Sequence, residues 1–235
     1  MKLFYLTIYL FLLSITVSAQ IPESELNALK DLYTATQGKH WKLSWPMDKA
    51  VTEWEGITIE NNHVTEIKML FNNLEGVLPN TISKLTKLRV LELSFNKITG
   101  TLPTTIGDLN YLEVLALNGN FIEGSIPSSF GNLTHLKQLH LSSNRLSGEI
   151  PNTINSLENL EVFNVFENQL TGNLPVVLSR SRNLKEFIIA KNKFNNSPEI
   201  STILLSNSAM VDLEENRVYS SGKSIIAIET SDDDH

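Results

Sequence analysis

The sequence predicts an α/β solenoid, with a parallel β-sheet on the concave face, short helical or 3-10 turns on the convex face and a helical cap at the N-terminal end. Three observations predict it. An asparagine recurs every 24 residues, at Asn72, Asn96, Asn120, Asn144, Asn168, Asn192 and Asn216, with no slip in register. Apolar residues stand at fixed offsets before each asparagine, as in Leu88-Arg-Val-Leu-Glu-Leu-Ser-Phe-Asn96. Glycine and then proline follow at constant offsets in five of the repeats. A unit this short cannot bury a core alone, so the units must stack.

Residues 1–19 read as a leader. Lys2 precedes the apolar run from Leu3 to Val17, and Val17-Ser18-Ala19 has the small-residue pattern of a signal-peptidase site, which places cleavage between Ala19 and Gln20. The run is shorter than the ~20 apolar residues of a spanning helix, and no later segment could span a bilayer, so a secreted location is expected. The chain carries a net charge of −7, or −8 once Lys2 is removed, which argues against nucleic acid and anionic membrane surfaces as partners. With no cysteine, it must hold together without disulfides, and thiolate metal sites are excluded.

Residues 20–63 are expected to close the first end of the array. Leu26, Leu29, Leu32 and Tyr33 fall at helical spacing between Ser24 and Gly38, with the glycine as the expected stop. Trp41, Trp45 and Trp54 follow, and large aromatics in so small a unit point to a packed cap core. Their alternative use is as a stacking platform for a glycan.

Residues 64–219 hold about seven repeats of the form L-x-x-L-x-L-x-x-N-x-L, the unit of a leucine-rich repeat. The columns Ile67, Leu91, Leu115, Leu139, Phe163, Phe187, Val211 and Met69, Leu93, Leu117, Leu141, Val165, Ile189, Leu213 lie two residues apart, so both point inward from one short strand per repeat. The asparagine then serves the turn, because a carboxamide carries both donors and an acceptor for backbone groups that lack a ladder partner. Downstream come Gly76 and Pro79, Gly100 and Pro103, Gly124 and Pro127, Gly148 and Pro151, Gly172 and Pro175. Glycine permits the turn, and proline sets φ for a short outer helix that carries Ile82, Ile106, Phe130, Ile154 and Leu178 inward.

The recurring text L-x-G-x-[IL]-P, as in Leu146-Ser-Gly-Glu-Ile-Pro151, resembles the plant-type class of leucine-rich repeat found in receptor-kinase ectodomains, polygalacturonase-inhibiting proteins and many secreted bacterial proteins. The resemblance implies a right-handed, twisted and curved superhelix, a second short sheet beside the first, and extracellular recognition of proteins, peptides or glycans. The text from Leu32 to Trp41, with Trp45 and Trp54-Glu-Gly-Ile57, is similar to the N-terminal cap of that family. Many members bracket the second tryptophan motif with two cysteines, whereas Thr52 and Ile59 stand here. That departure, with the short leader, favours a bacterial over a plant source.

The repeat text decays after Asn192, with Asn196 in the glycine position and Pro198 one place early. In residues 220–235, Ser224-Ile-Ile-Ala-Ile228 reads as a final strand over the open edge, followed by an acidic tail from Ser231 to His235.

No nucleophile motif, phosphate loop or metal-ligand spacing appears, so a non-enzymatic chain without cofactor is expected. Among the histidines only His140 reaches the strand surface, where a solvated side chain is expected. Asp212, Glu214 and Glu215 alternate as calcium ligands could, without the glycine-rich loop such a site needs. The variable strand positions are the expected partner-binding surface. They are Leu70, Phe71, Val90, Glu92 and Phe95 at one end, Asn118, Gln138, His140, Ser142, Ser143 and Asn164 in the middle, and Phe166, Glu167, Glu186, Lys191, Asp212, Glu214 and Glu215 at the other. Phe71 and Phe95 read equally as interface anchors or as a shield over the core edge. The partner class that follows is a protein or peptide; inhibition of an extracellular hydrolase such as a polygalacturonase, or glycan binding, are the alternative roles.

Overall fold

The computed structural model describes residues 21–173, 178 and 183–195, together with the strand segments 209–212, 217–220 and 225–227. The leader, Asn216, Glu214, Glu215 and the acidic tail lie outside the described residues.

The N-terminal unit opens with helix α1 (Glu23–Ala35), which buries Ala28, Leu29 and Leu32. The chain does not turn at Gly38. Gln37 takes the left-handed conformation (φ 54°), while the Thr36 hydroxyl donates to the Leu32 carbonyl at 2.6 Å. Gly38 is needed for a different reason: a Cβ there would lie 2.1 Å from the Tyr33 ring, so the glycine lets the chain pass under the tyrosine. Strands β1 (Ile57–Glu60) and β2 (His63–Lys68) form an antiparallel hairpin about Asn61 and Asn62, both at positive φ as its tight turn requires.

From β2 the array proceeds by one rung per repeat. Along the chain follow β3 (Glu75–Val77), β4 (Val90–Glu92), β5 (Lys97–Thr99), β6 (Val114–Ala116), β7 (Glu123–Gly124), β8 (Gln138–His140), β9 (Arg145–Glu149), β10 (Val162–Asn164), β11 (Gln169–Gly172), β12 (Glu186–Ile188) and β13 (Lys193–Phe194). The main sheet has the order β1-β2-β4-β6-β8-β10-β12, parallel from β2 onward and in strict 24-residue register, for example Leu91 to Leu115 to Leu139. The second sheet runs alongside in two parts, β3-β5 and β7-β9-β11-β13, linked by the bridge between Thr101 and Glu123. On the convex side 3-10 turns occupy Asn80–Lys84, Thr104–Asp108, Ser128–Asn132 and Asn152–Ser156, each entered through a proline with φ between −76° and −61°. Ile82, Ile106, Phe130, Ile154 and Leu178 are buried, as are both strand columns throughout the described repeats.

From Asn96 to Asn192 each asparagine serves two consecutive turns of the superhelix. Asn120 donates to Leu117 O in its own repeat at 2.9 Å and to Leu93 O in the repeat before at 3.1 Å. Its Oδ1 accepts Ile98 N–H at 3.0 Å. Asn96, Asn144, Asn168 and Asn192 repeat the pattern. Asn72 has no preceding repeat and turns to the N-terminal unit instead, accepting Leu43 N–H at 2.6 Å and donating to Leu43 O at 3.2 Å.

A second joint is Glu25, only 1 % exposed, whose carboxylate meets His63 Nδ1 at 2.6 Å and accepts Val64 N–H at 2.8 Å, tying α1 to β2. A third ladder lies on the outer turns, where the hydroxyls of Thr105, Ser129 and Thr153 each donate to a carbonyl 25 residues back. Neither the acid nor the hydroxyls were evident in the motif text.

The parallel register stops at β12. Val211 and Asp212 were expected on a seventh parallel rung. They lie in β14 (Ala209–Asp212), which pairs antiparallel with β15 (Arg217–Ser220), and β15 in turn with β16 (Ile225–Ala227). Beyond Asn192 the glycine and proline positions no longer match, so the turn that returns the chain to a parallel strand is not specified. β16 lies beside β12, the last strand of the main sheet.

Replacing Asn120 by alanine strands Ile98 N–H and two carbonyls in the core. Chemical denaturation should then show a loss of about 3 kcal/mol, more than any exposed concave substitution costs.

Candidate binding surface

The concave face is set by strand pleat. Residues that alternate with the two buried columns must point away from the core, and those just after the strand stand at its lip. The lip position one residue before each asparagine carries Phe71, Phe95, Gly119, Ser143, Glu167 and Lys191, and all six have φ between 52° and 66°. Non-glycine residues pay for the left-handed conformation by roughly 1 kcal/mol or more. The neighbouring carboxamide, by fixing the backbone on both sides, holds them there.

At the N-terminal end Phe71 and Phe95 are 53 % and 45 % exposed, with ring centroids 4.5 Å apart and planes within 7°. Leu70 is exposed beside them, and so is Leu43, whose amide is held by Asn72. Leu43 lies in the non-repetitive unit, where no periodicity could have revealed it. Gly119 is the seat of this stack: a Cβ there would stand 2.6 Å from Phe95 Cδ1. Its positive φ alone does not demand glycine, because serine, glutamate and lysine adopt the same conformation in the same column.

In the middle, Asn118 accepts Ser94 Oγ at 2.6 Å, and Asn164 Oδ1 accepts Phe166 N–H at 3.1 Å, so both carboxamides are partly occupied by the scaffold. His140 is not the solvated side chain expected. It is half-buried between Ala116 and Asn164 on the flanking strands, with Nε2 3.3 Å from Gln138 Oε1. Burial pushes its pKa below the usual 6.5, against the opposing pull of Glu186 and Glu92.

At the far end Glu167 accepts Ser143 Oγ at 2.8 Å and lies 3.9 Å from Lys191 Nζ, and Lys191 sits 5.1 Å from the centroid of the Phe166 ring. Along one border of the sheet runs a column of alternating charge, Arg89, Glu113, Lys137, Glu161 and Lys185. Lys137 reaches Glu113 at 2.7 Å and Lys185 reaches Glu161 at 2.6 Å. Glu113 holds the Lys137 ammonium above its ordinary pKa.

The tryptophans are not on this surface. Trp41, Trp45 and Trp54 are at most 5 % exposed, Trp45 stacking on Trp54 and meeting Trp41 edge to face, and each indole N–H donates to a backbone carbonyl. A glycan platform made of them is therefore ruled out: both the faces and the polar edges are already used. Among the described residues, no cluster of three or more His, Asp or Glu could hold a metal ion.

A family model described as a leucine-rich repeat region matches residues 63–230. The chain belongs to the leucine-rich-repeat family. Its solenoid is of the plant type. It is 33 % identical over 88 residues to phytosulfokine receptor 2 of Arabidopsis thaliana, a match covering 36 % of this chain and 8 % of that receptor. The structure resembles the leucine-rich-repeat ectodomain of the receptor kinase SOBIR1 from Arabidopsis thaliana, with 28 % identity, TM-score 0.65, and coverage of 76 % of this chain and 99 % of that one. It also resembles the ectodomain of the Arabidopsis receptor kinase HAESA in complex with an IDA peptide hormone, with 28 % identity, TM-score 0.67, and coverage of 77 % of this chain and 31 % of that one. This repeat protein thus spans a small part of the large receptors and nearly the whole of the short ectodomain. No helix among the described residues is long and apolar enough to cross a membrane.

Two outcomes follow for this leucine-rich-repeat surface. Gly119→Ser should unstack Phe71 and Phe95, visible as a loss of near-ultraviolet circular dichroism from the rings, with the repeat register intact. The folded state resists charging His140, so its contribution to stability is whole above about pH 6.5 and declines as pH falls below that value. In His140→Gln the melting temperature should fall less steeply with acidification, as read by thermal melts across that range.

Proposed function

We propose that the chain is a secreted, non-enzymatic recognition module that binds a protein or peptide partner on its concave face. The observation that carries this reading is the exposed Phe71–Phe95 stack. Two large rings stand half in solvent on a left-handed backbone, outside the core that the strand columns already fill. Large aromatic anchors beside polar neighbours are what an interface requires. The likeness to the peptide-bound HAESA ectodomain supports a peptide as partner class. With the tryptophans buried, the platform they would offer a glycan is closed, and nothing among the described concave residues singles out a hydrolase. The leader, with cleavage after Ala19, and the cysteine-free N-terminal unit support secretion from a bacterial source; a mature N-terminus other than Gln20 on the exported protein would remove the leader from the proposal.

The test is selection of a random linear peptide library displayed on phage against the full mature chain. Retention of peptides is expected. Phe71→Ala with Phe95→Ala should lower recovery at least about tenfold while the melting temperature moves by only a few degrees, since exposed side chains contribute little to stability. Unaltered recovery with both rings removed would overturn the reading.

A further inference from the structure

In the middle of the concave face the scaffold already occupies the carboxamide oxygens. Asn118 Oδ1 accepts Ser94 Oγ at 2.6 Å, Asn164 Oδ1 accepts Phe166 N–H at 3.1 Å, and Gln138 Oε1 lies 3.3 Å from His140 Nε2. A carboxamide oxygen can accept but not donate, so the proton of the neutral imidazole belongs on Nε2, and Nδ1 is left with a lone pair. Nδ1 has no hydrogen-bond partner among the described residues. Nor is it sealed from solvent, for the buried side-chain polar atoms without a partner among those residues are Thr81 Oγ1, Arg89 Nε and Asn155 Oδ1. An acceptor that the fold does not use thus opens onto the concave side.

Its surroundings keep it an acceptor. The flanking strands β6 and β10 place Val114, Ala116, Val162 and Asn164 beside it, none of them charged. The charged groups that act on the ring are Glu92 on β4 and Glu186 on β12, each two rungs away, and burial outweighs their pull, so the ring is neutral near pH 7. Ala116 is 4 % exposed, so the floor at the ring's side is closed and a ligand meets the ring from above the sheet. A half-buried ring between such short neighbours is reached by a chain lying along the sheet. The donor that such a chain carries at every residue except proline is its backbone N–H.

We infer that His140 Nδ1 accepts one main-chain N–H of the bound peptide and that protonating the ring releases the peptide. The inference rests on the concave-face peptide reading above, and adds to it the group that fixes the peptide's register and a means of letting the peptide go. A main-chain donor is met whatever side chain it carries, so the contact positions the peptide rather than selecting its sequence. The imidazolium has no lone pair at Nδ1 and turns a hydrogen toward the peptide's own N–H. Affinity is therefore whole above about pH 6.5, where the free ring is neutral, and falls as pH drops through the ring's titration below that value.

The test takes a synthetic copy of a peptide recovered from the random phage library and measures its affinity for the full mature chain by calorimetry, from about pH 7.5 down to about pH 4.5. Binding should weaken on acidification by roughly fivefold, the worth of one net hydrogen bond. His140→Leu should show roughly the same fivefold deficit already at neutral pH, with no further loss in acid from this site. His140→Asn, which keeps an acceptor that does not protonate, should recover most of the neutral-pH affinity and lose the acid response. An amide-to-ester scan of the peptide should find one position whose ester costs the same factor on the unaltered chain and nothing further on His140→Leu. An acid response that persists in His140→Leu, or the absence of any ester position whose cost vanishes with the imidazole, would overturn the role of His140 while leaving peptide binding standing. Recovery of no peptide would overturn both.

Discussion

The carboxamide of the repeating asparagine is the interaction on which the rest of the array depends. A solenoid of short strands leaves backbone N–H and C=O groups inside every turn, and burying them unpaired would cost more than the leucine columns could offset. One side chain answers this by bonding within its own repeat, to the repeat before and to the amide that starts the second sheet. Because each carboxamide spans neighbouring repeats, the pitch of the superhelix is set by hydrogen bonds as well as by packing. The same bonds hold the lip residue in a conformation it would not adopt alone, and the concave surface inherits its shape from that.

The two ends show what happens where the ladder lacks a neighbour. Asn72 finds the backbone of Leu43 and so fastens a unit of unrelated sequence to the first repeat. Glu25 does similar service from α1, satisfying an amide and a histidine from within the core. These joints, rather than a disulfide, bind the helix and the cluster of three tryptophans to the sheet. Thr52 is exposed and Ile59 half-buried, and neither position offers a thiol. At the other end the parallel register gives way to an antiparallel sheet once glycine and proline leave their places.

Much of this was legible in the text because a fixed period reports one environment many times. The inward columns, the outer turns and the turn asparagine each repeat their chemistry, so five to seven copies vote on each role. What was missed occurs once, or hides in residue types that look solvated. Glu25 resembles any acid in a first helical turn, and only the fold brings His63 to it. His140 reads as a surface residue until the neighbouring alanine is seen to leave it half-sunk. The helix stop was assigned to Gly38 because glycine usually serves there, whereas the ring of Tyr33 claims that space. On the concave face the text showed which positions vary, but which of them the scaffold already occupies is a matter of side-chain direction.

The alternating column at the border of the sheet gives the array a parity. Arg89, Glu113, Lys137, Glu161 and Lys185 change sign at every rung, so the electrostatic period is two repeats although the structural period is one. Excising a single repeat would preserve every leucine and asparagine contact and yet bring two like charges side by side; excising a pair would leave opposite charges facing. The array can therefore lengthen or shorten smoothly only in steps of two, a counting rule carried by its rim and invisible to its core.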